Sequence, residues 1–176
     1  MRKVPTVREH RRLLPSIDRS LSAVAPPLVS LFDRLVSGSA PWPLFLYGKP
    51  GRGKTLACLA LCDIVETARL DSAESLASLV MKLNANDADA EFDHIGGKAL
   101  AVLDEIGARE RNGDLAYIVV KRFCDVREQK ANRVSIFTSN VPPHEVANLY
   151  DDRIASRLLC GSIFELKGDD RRRAGT

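Results

Sequence analysis

Short apolar runs alternate along the chain with longer segments in which apolar and polar residues are mixed. The runs suit strands that are buried on both faces and are too short for helices. The mixed segments have the spacing of helices that bury one face. Strands that alternate with helices predict an α/β fold with a mainly parallel sheet, helices on its faces and right-handed crossovers. Five strands are expected, at 44–47, 68–71, 100–103, 134–138 and 162–166.

Capping residues and breakers set the helix boundaries where the sequence has them. Helices are expected at 27–37, 55–70, 115–130 and 151–159, and from a cap at Asp71 or Ser72 to about Leu83. Gly38 ends the first of them. The second contains no glycine or proline, and its end competes with the edge strand expected at 68–71. Segment 84–98 is polar and acidic, and it is predicted to be a loop around one short helical turn.

A glycine-rich loop follows the first strand and precedes a helix. It fits the pattern G-x-x-x-x-G-K-[ST] and is formed by Gly48, Lys49, Pro50, Gly51, Arg52, Gly53, Lys54 and Thr55. In such a loop the backbone N–H groups and the helix dipole attract an anion. Lys54 is predicted to reach the β- and γ-phosphates of ATP, and the Thr55 hydroxyl to bind Mg²⁺. We call residues 48–55 the P-loop and predict that it binds ATP.

Polar groups also follow two later strands. Asp104 and Glu105 end the apolar run at 100–103, which is the Walker B pattern. Asp104 is predicted to hold Mg²⁺ through water, and Glu105 to orient and deprotonate the attacking water. The alternative is a strand that ends in a charged turn, but a P-loop in the same chain favours the chemical role. Asn140 follows the strand at 134–138, where its amide is able to bind the γ-phosphate or the attacking water.

Two arginines lie four residues apart in the helix expected at 151–159. Arg153 and Arg157 therefore share one face of that helix. The alternative to a functional role is a solvated face with ion pairs worth a few tenths of a kcal/mol each.

The order of these motifs resembles that of the AAA+ ATPases. Within them it is similar to the DnaC-type helicase loaders and the IstB-type transposition helpers, over about residue 25 to the end of the chain. Segments 103–109 and 164–172 look especially like the loaders. The resemblance implies that Asn140 is the sensor-1 residue and that Arg157 is an arginine finger, which acts on the ATP of the neighbouring subunit. Arg153 is a second candidate for that role.

The resemblance also implies a function. We expect a Mg²⁺-dependent ATPase that assembles into an ATP-dependent ring or spiral and loads or remodels a replicative helicase on DNA. Its expected partners are the helicase and single-stranded DNA, which each subunit would bind weakly. No C-terminal lid domain and no sensor-2 arginine are expected, and about forty residues precede the first strand of the core.

The sequence leaves three alternative functions open. A transposition helper with the same core would have a transposase as its partner. A small-molecule P-loop kinase would need an acceptor pocket, and it would leave Thr138-Ser139-Asn140 without a role. A nucleotide-switched binding module with negligible hydrolysis would not need Glu105.

Composition bounds the class of protein. The 176 residues are 45% hydrophobic and 28% charged, which is ordinary for one soluble domain. No apolar run approaches the roughly 20 residues of a membrane span, so a cytoplasmic protein is expected. The four cysteines form no C-x-x-C pair, and they are expected to be small buried thiols.

The charge is uneven along the chain. Residues 1–20 carry six basic and two acidic side chains, and residues 167–176 carry four basic and two acidic ones, within a net charge of +3. Such ends suit nucleic acid, or they are solvated tails, and both interpretations stay open. The expected organisation is a basic arm at 1–22, an ATPase core at 23–168 and a basic tail at 169–176.

Overall fold

The computed structural model describes residues 21–107, 113–128 and 134–170. The strands are β1 (Leu44–Tyr47), β2 (Ala68–Ser72), β3 (Leu100–Asp104), β4 (Val134–Ser139) and β5 (Ser162–Glu165). The helices are α1 (Pro26–Val36), α2 (Lys54–Ile64), α3 (Ala73–Val80), α4 (Ala85–Gly96), α5 (Gly113–Glu128), α6 (Pro143–Leu149) and α7 (Asp152–Leu159). The predicted basic arm, apart from its last two residues, and the basic tail from residue 171 onward lie outside the described residues.

The strands form one sheet in the order β2-β3-β4-β1-β5, and every pair is parallel. This confirms the predicted parallel sheet of five strands. Because β4 lies between β1 and β3, the carboxyl ends of these three strands meet at one edge. In open α/β sheets this edge is where ligands bind. The P-loop, the Walker B residues and Asn140 all follow these three strands.

Helices cover both faces of the sheet. Along β1, Leu44 and Leu46 belong to the core under α1 and α2, whereas Phe45 between them belongs to the core on the other face. This is the alternation of side chains that a strand requires. The second core contains Phe92 from α4 and Phe123 from α5, and both side chains are almost fully buried. The result is a three-layer sandwich with the sheet in the middle.

Helix α4 corrects the prediction of a loop at 84–98. Asn84 caps it, because the Asn84 side chain accepts a hydrogen bond of 2.9 Å from the Asp87 N–H. Ala88, Phe92 and Ile95 are buried, and their spacing places them on one helix face. Three apolar residues among many carboxylates were enough to dock the helix.

Helix α2 also differs from its prediction, since it ends at Ile64 rather than at residue 70. Val65 is already extended, and Leu70 pairs with Val102 as part of β2. Pairing with β3 therefore overrides a sequence that contains no helix breaker. Helix α3 is also shorter than predicted, and α6 was not predicted.

A buried arginine joins three elements at the opposite edge of the sheet. Arg127, near the end of α5, is 5% exposed, and its guanidinium donates to the Ser135 hydroxyl at 3.0 Å. The same guanidinium donates to the backbone carbonyls of Ile95, Gly96, Lys98, Ala99 and Val134. It thus supplies hydrogen-bond donors for carbonyl groups at the end of α4 and at the amino ends of β3 and β4.

Three of the four cysteines are buried, as predicted, but Cys160 is exposed. Burial raises the pKa of Cys62 and of Cys124 to about 12, so both remain thiols at neutral pH. Within the described ranges, no helix has the length and apolar character needed to span a membrane.

Candidate active site

The P-loop has a backbone that glycine makes possible. Gly53, directly before α2, has a φ of +92°, and Gly48 has a φ of +149°. A Cβ atom added to Gly48 would lie 2.5 Å from the carbonyl oxygen of Leu166, so close approach also requires glycine there. Helix α2 begins at Lys54, with no side-chain hydrogen bond at its cap. Its first N–H groups therefore open toward the loop, as in an anion site.

The Lys54 side chain crosses the inside of this loop. Its Nζ atom donates to the carbonyl oxygens of Gly48 at 2.6 Å and Lys49 at 3.1 Å. It also donates to Oδ1 of Asn140 at 2.7 Å. Lys54 is only 6% exposed, so its ammonium group is held at the site with hydrogen-bond partners. The structure thus brings together the predicted lysine and the predicted sensor residue.

Asp104 is held between two hydroxyl groups. Thr55 Oγ1 donates to Oδ2 of Asp104 at 2.8 Å, and Thr138 Oγ1 donates to the other carboxylate oxygen. Thr138 Oγ1 in turn accepts a hydrogen bond of 2.9 Å from the Glu105 N–H. Thr138 is fully buried, and the sequence singles it out only as part of the segment Thr138-Ser139-Asn140. Taken alone, its signal in the sequence is a hydroxyl side chain near the carboxyl end of an apolar strand.

The residues predicted to bind Mg²⁺ fit that ion. The Thr55 hydroxyl and the Asp104 carboxylate are hard oxygen donors already in contact, at the end of β3 and the start of α2. Mg²⁺ usually takes only one or two protein oxygens and completes its shell with water and phosphate. The described residues contain no group of three or more His, Cys, Asp or Glu side chains able to hold a metal ion by themselves.

Glu105 is exposed and has a φ of +59°, the left-handed region that non-glycine residues rarely enter. The turn after it is tied down. The Ile106 N–H donates to the Thr138 carbonyl at 2.9 Å, and the Tyr150 hydroxyl donates to the Ile106 carbonyl. A Cβ atom on Gly107 would lie 2.9 Å from the Val141 side chain. The backbone therefore fixes where the Glu105 side chain leaves the sheet edge.

Helix α7 carries the two predicted arginines. Asp151 caps the helix, since its Oδ1 accepts from the Ile154 N–H at 2.7 Å and its Oδ2 accepts from the Tyr117 hydroxyl at 2.7 Å. These hydrogen bonds hold the pKa of Asp151 below its usual value. Arg153, one turn before Arg157, is exposed.

Arg157 lies away from the P-loop of its own chain. It precedes β5, whose first residue, Ser162, pairs with the first residue of β1, whereas the P-loop follows the last residue of β1. Its guanidinium forms ion pairs of 2.6 Å with Asp125 and 3.2 Å with Glu128, both on α5. The hydrogen bond that Arg157 donates to the Asp125 carboxylate raises the pKa of Arg157. The structure thus groups Lys54, Thr55, Asp104 and Asn140, and it does not bring Arg157 to them.

No family model and no curated protein match the chain. Solved structures do match. DnaI is 21% identical, with a TM-score of 0.62 over 92% of this chain and 93% of its own. The DnaC helicase loader is 17% identical, with a TM-score of 0.65 over 82% of this chain and 91% of its own. This chain has the fold of the DnaC-type AAA+ ATPases.

The same AAA+ fold occurs in an AMPPCP-bound DnaA from Aquifex aeolicus. That structure is 20% identical, with a TM-score of 0.68 over 88% of this chain. The match covers 51% of that DnaA, so this chain spans about half the length of the initiator. At these identities the comparisons establish the AAA+ fold, and what the protein does has to come from its own residues.

Proposed function

We propose that this AAA+ chain binds ATP with Mg²⁺, hydrolyses it, and uses the cycle to load or remodel a replicative helicase on DNA. The observation that carries the ATPase part of the proposal is a pair of contacts among four predicted residues at one sheet edge. Lys54 contacts Asn140 at 2.7 Å, and Thr55 contacts Asp104 at 2.8 Å. No pair among these contacts is close in sequence, so chance motif matches would not be expected to converge in this way.

Each residue has a role in this proposal. The P-loop N–H groups and Lys54 hold the phosphates, Thr55 and Asp104 bind Mg²⁺, and Glu105 activates the attacking water. Bound Mg²⁺ would neutralise charge on the phosphates during transfer. Asn140 would bind the γ-phosphate or the water. The fold shared with DnaA in its AMPPCP-bound form supports nucleotide binding.

Arg157 is proposed to act on the ATP of a neighbouring subunit. Its position near the edge opposite its own P-loop supports a role in trans. Head-to-tail contacts of this kind are heterologous, and they generate a ring or an open spiral. Arg153, exposed on the same helix, is the second candidate. Asp125 and Glu128 would hold the guanidinium until the neighbour binds.

The replication role rests on likeness of fold to the DnaC helicase loader and to DnaI. A transposition helper would share the same core and the same ATP chemistry. Purification of the tagged protein from its native cell, followed by identification of the bound proteins, separates the two: a replicative helicase supports the proposal and a transposase contradicts it.

A mixing experiment tests the ATPase proposal. Lys54→Ala should lose most nucleotide binding, whereas Arg157→Ala should retain binding and lose turnover by roughly 10³-fold. A mixture of the two variants should recover part of the activity, because one interface then combines an intact P-loop with an intact Arg157. Asp125→Asn is the control, since it removes the shorter of the two ion pairs of Arg157 and keeps the arginine. If Asp125→Asn loses as much turnover as Arg157→Ala, Arg157 stabilises α5 and α7 and is no finger.

A further inference from the structure

The chain that follows β5 runs across the P-loop. The Leu166 N–H donates to the Tyr47 carbonyl at 2.7 Å, so the end of β5 stays joined to the end of β1. Gly168 then turns the chain, with a φ of +121°. Asp170 follows, and its carboxylate lies against Gly51. A Cβ atom added to Gly51 would lie 2.0 Å from Oδ1 and 2.8 Å from Oδ2 of Asp170.

This contact brings a negative charge to a loop that is built for anions. Gly51 is the middle glycine of the P-loop, and the loop is followed by the start of α2 with its Lys54 ammonium group. Asp170 is partly buried, whereas the neighbouring Asp169 is exposed. A carboxylate on the loop is attracted by the same dipole and the same N–H groups that attract phosphate. Polyphosphate and Asp170 therefore compete for one source of positive potential.

We infer that Asp170 is a further residue of the nucleotide site, whose carboxylate opposes the nucleotide phosphates and lowers their affinity for the P-loop. The inference rests on the proposed function, because it assumes that the loop binds nucleotide. The side chain acts from the segment after β5. Nucleotide binding must therefore push this segment away from Gly51 or accept the repulsion of two like charges. Either result makes the bound nucleotide easier to release.

The test compares two neutralised carboxylates that are adjacent in sequence. Asp170→Asn keeps the shape of the side chain and removes its charge, and Asp169→Asn removes the same charge from the adjacent, exposed side chain. Affinities for ATP and ADP are measured by competition with a fluorescent ATP analogue in Mg²⁺ buffer. Asp170→Asn should bind ATP roughly three- to tenfold more tightly than the unmodified protein. The gain should be smaller for ADP, and Asp169→Asn should stay within about twofold of the unmodified protein.

Salt separates charge from packing in this experiment. A repulsion between carboxylate and phosphate is screened by ions, so the gain of Asp170→Asn should shrink as the ionic strength rises from about 0.05 to 0.5 M. A gain that is independent of salt, equal for both variants, or absent overturns the inference. A weaker ATP affinity for Asp170→Asn also overturns it, because the carboxylate would then be a ligand of the nucleotide. Thermal unfolding without nucleotide checks that all variants fold.

A separate comparison, with Lys54→Ala, shows whether the proposed nucleotide site itself is wrong. If the unmodified protein binds ATP and Lys54→Ala does not, the nucleotide site stands whatever Asp170→Asn does. If the unmodified protein binds no more ATP than Lys54→Ala, the site itself is refuted and the inference falls with it.

Discussion

Lys54 Nζ donates a hydrogen bond of 2.7 Å to Oδ1 of Asn140, which lies 86 residues further along the chain. The bond joins the P-loop to the end of β4 and places an amide next to the predicted phosphate position. The NH2 group of the same amide is a donor from which a phosphate or a water molecule would accept a hydrogen bond. The contact ties two elements whose distance is critical for any phosphoryl transfer at this edge.

Asn140→Ala should reduce ATP turnover while leaving ATP bound. The P-loop and Lys54 remain, so affinity should stay within a few-fold of the unmodified protein. Loss of one hydrogen bond to the reacting groups should reduce turnover roughly 10²-fold or more. Steady-state hydrolysis and equilibrium nucleotide binding measure the two quantities separately. Turnover within threefold of the unmodified protein would show that Asn140 has no part in the reaction.

Variants of Glu105 should separate chemistry from backbone strain. Glu105→Gln, Glu105→Ala and Glu105→Gly all remove the carboxylate, and each should hydrolyse ATP roughly 10²- to 10⁴-fold more slowly. The φ of +59° favours glycine, so Glu105→Gly should unfold with a free energy about 1 kcal/mol higher than Glu105→Ala. Chemical denaturation measures this difference. Equal stabilities would mean that the backbone relaxes at this turn.

The sequence predicted the parallel sheet, and the places of the P-loop and the Walker B residues at its carboxyl edge, because both depend on local signals. The strands are apolar runs, and the P-loop and the Walker B residues are contiguous motifs whose places follow from strand polarity. Residues that act through distant partners gave no such signal. In the sequence, Thr138 is an ordinary strand threonine and Arg127 an ordinary charged residue near a helix end. Only the fold shows that Thr138 contacts β3 and that Arg127 contacts α4.

The errors in the predicted helix boundaries also arise from contacts between segments that are distant in sequence. Segment 55–70 has no breaker, and only the pairing of Leu70 with Val102 turns its end into β2. Helix α4 has the opposite problem, since its sequence is polar and its docking depends on Phe92 and Ile95 reaching a core made by other elements. Tertiary packing overrode local propensity in both places.

Thr138→Val should weaken both stability and metal-dependent nucleotide binding. Valine keeps the shape of threonine but removes the hydroxyl that donates to Asp104 and accepts from the Glu105 N–H. Leaving these buried groups without that partner should cost about 1–3 kcal/mol of unfolding free energy. Thr138→Ser, which keeps the hydroxyl, is the control and should retain ATP binding. If Thr138→Val binds Mg²⁺-ATP as tightly as Thr138→Ser, the hydroxyl does not position Asp104.

Arg127→Lys should destabilise the protein although it preserves the charge. The guanidinium of Arg127 donates hydrogen bonds to the Ser135 hydroxyl and to carbonyl groups in α4 and just before β3. An ammonium group has three donors on a single atom and is unable to span the same set. The loss should be about 2–4 kcal/mol, measured by denaturant unfolding. Arg122→Lys, at an exposed ion pair on the same helix, is the control and should change stability by less than about 1 kcal/mol.

Contact with DNA should be single-stranded, electrostatic and dependent on nucleotide. Aromatic residues make up only 6% of the chain, so base stacking is not expected to dominate. A net charge of +3 per subunit is small, whereas an ATP-bound spiral would repeat the basic residues along one strand. DNA binding should therefore follow assembly of the protein.

Fluorescence anisotropy with a labelled single strand tests this dependence, with and without a slowly hydrolysed ATP analogue and across a salt series. Binding should appear with the analogue, weaken steeply as salt rises, and show little preference for sequence, because phosphate contacts release counterions and carry no base information. Neutralising Arg171, Arg172 and Arg173 together should reduce both the affinity and the slope of its salt dependence. Lys54→Ala should bind no better with the analogue than without it, since it lacks the nucleotide that drives assembly. Equal binding in the absence of nucleotide, or a strong preference for one duplex sequence, would instead indicate a basic tail that binds DNA without the ATPase.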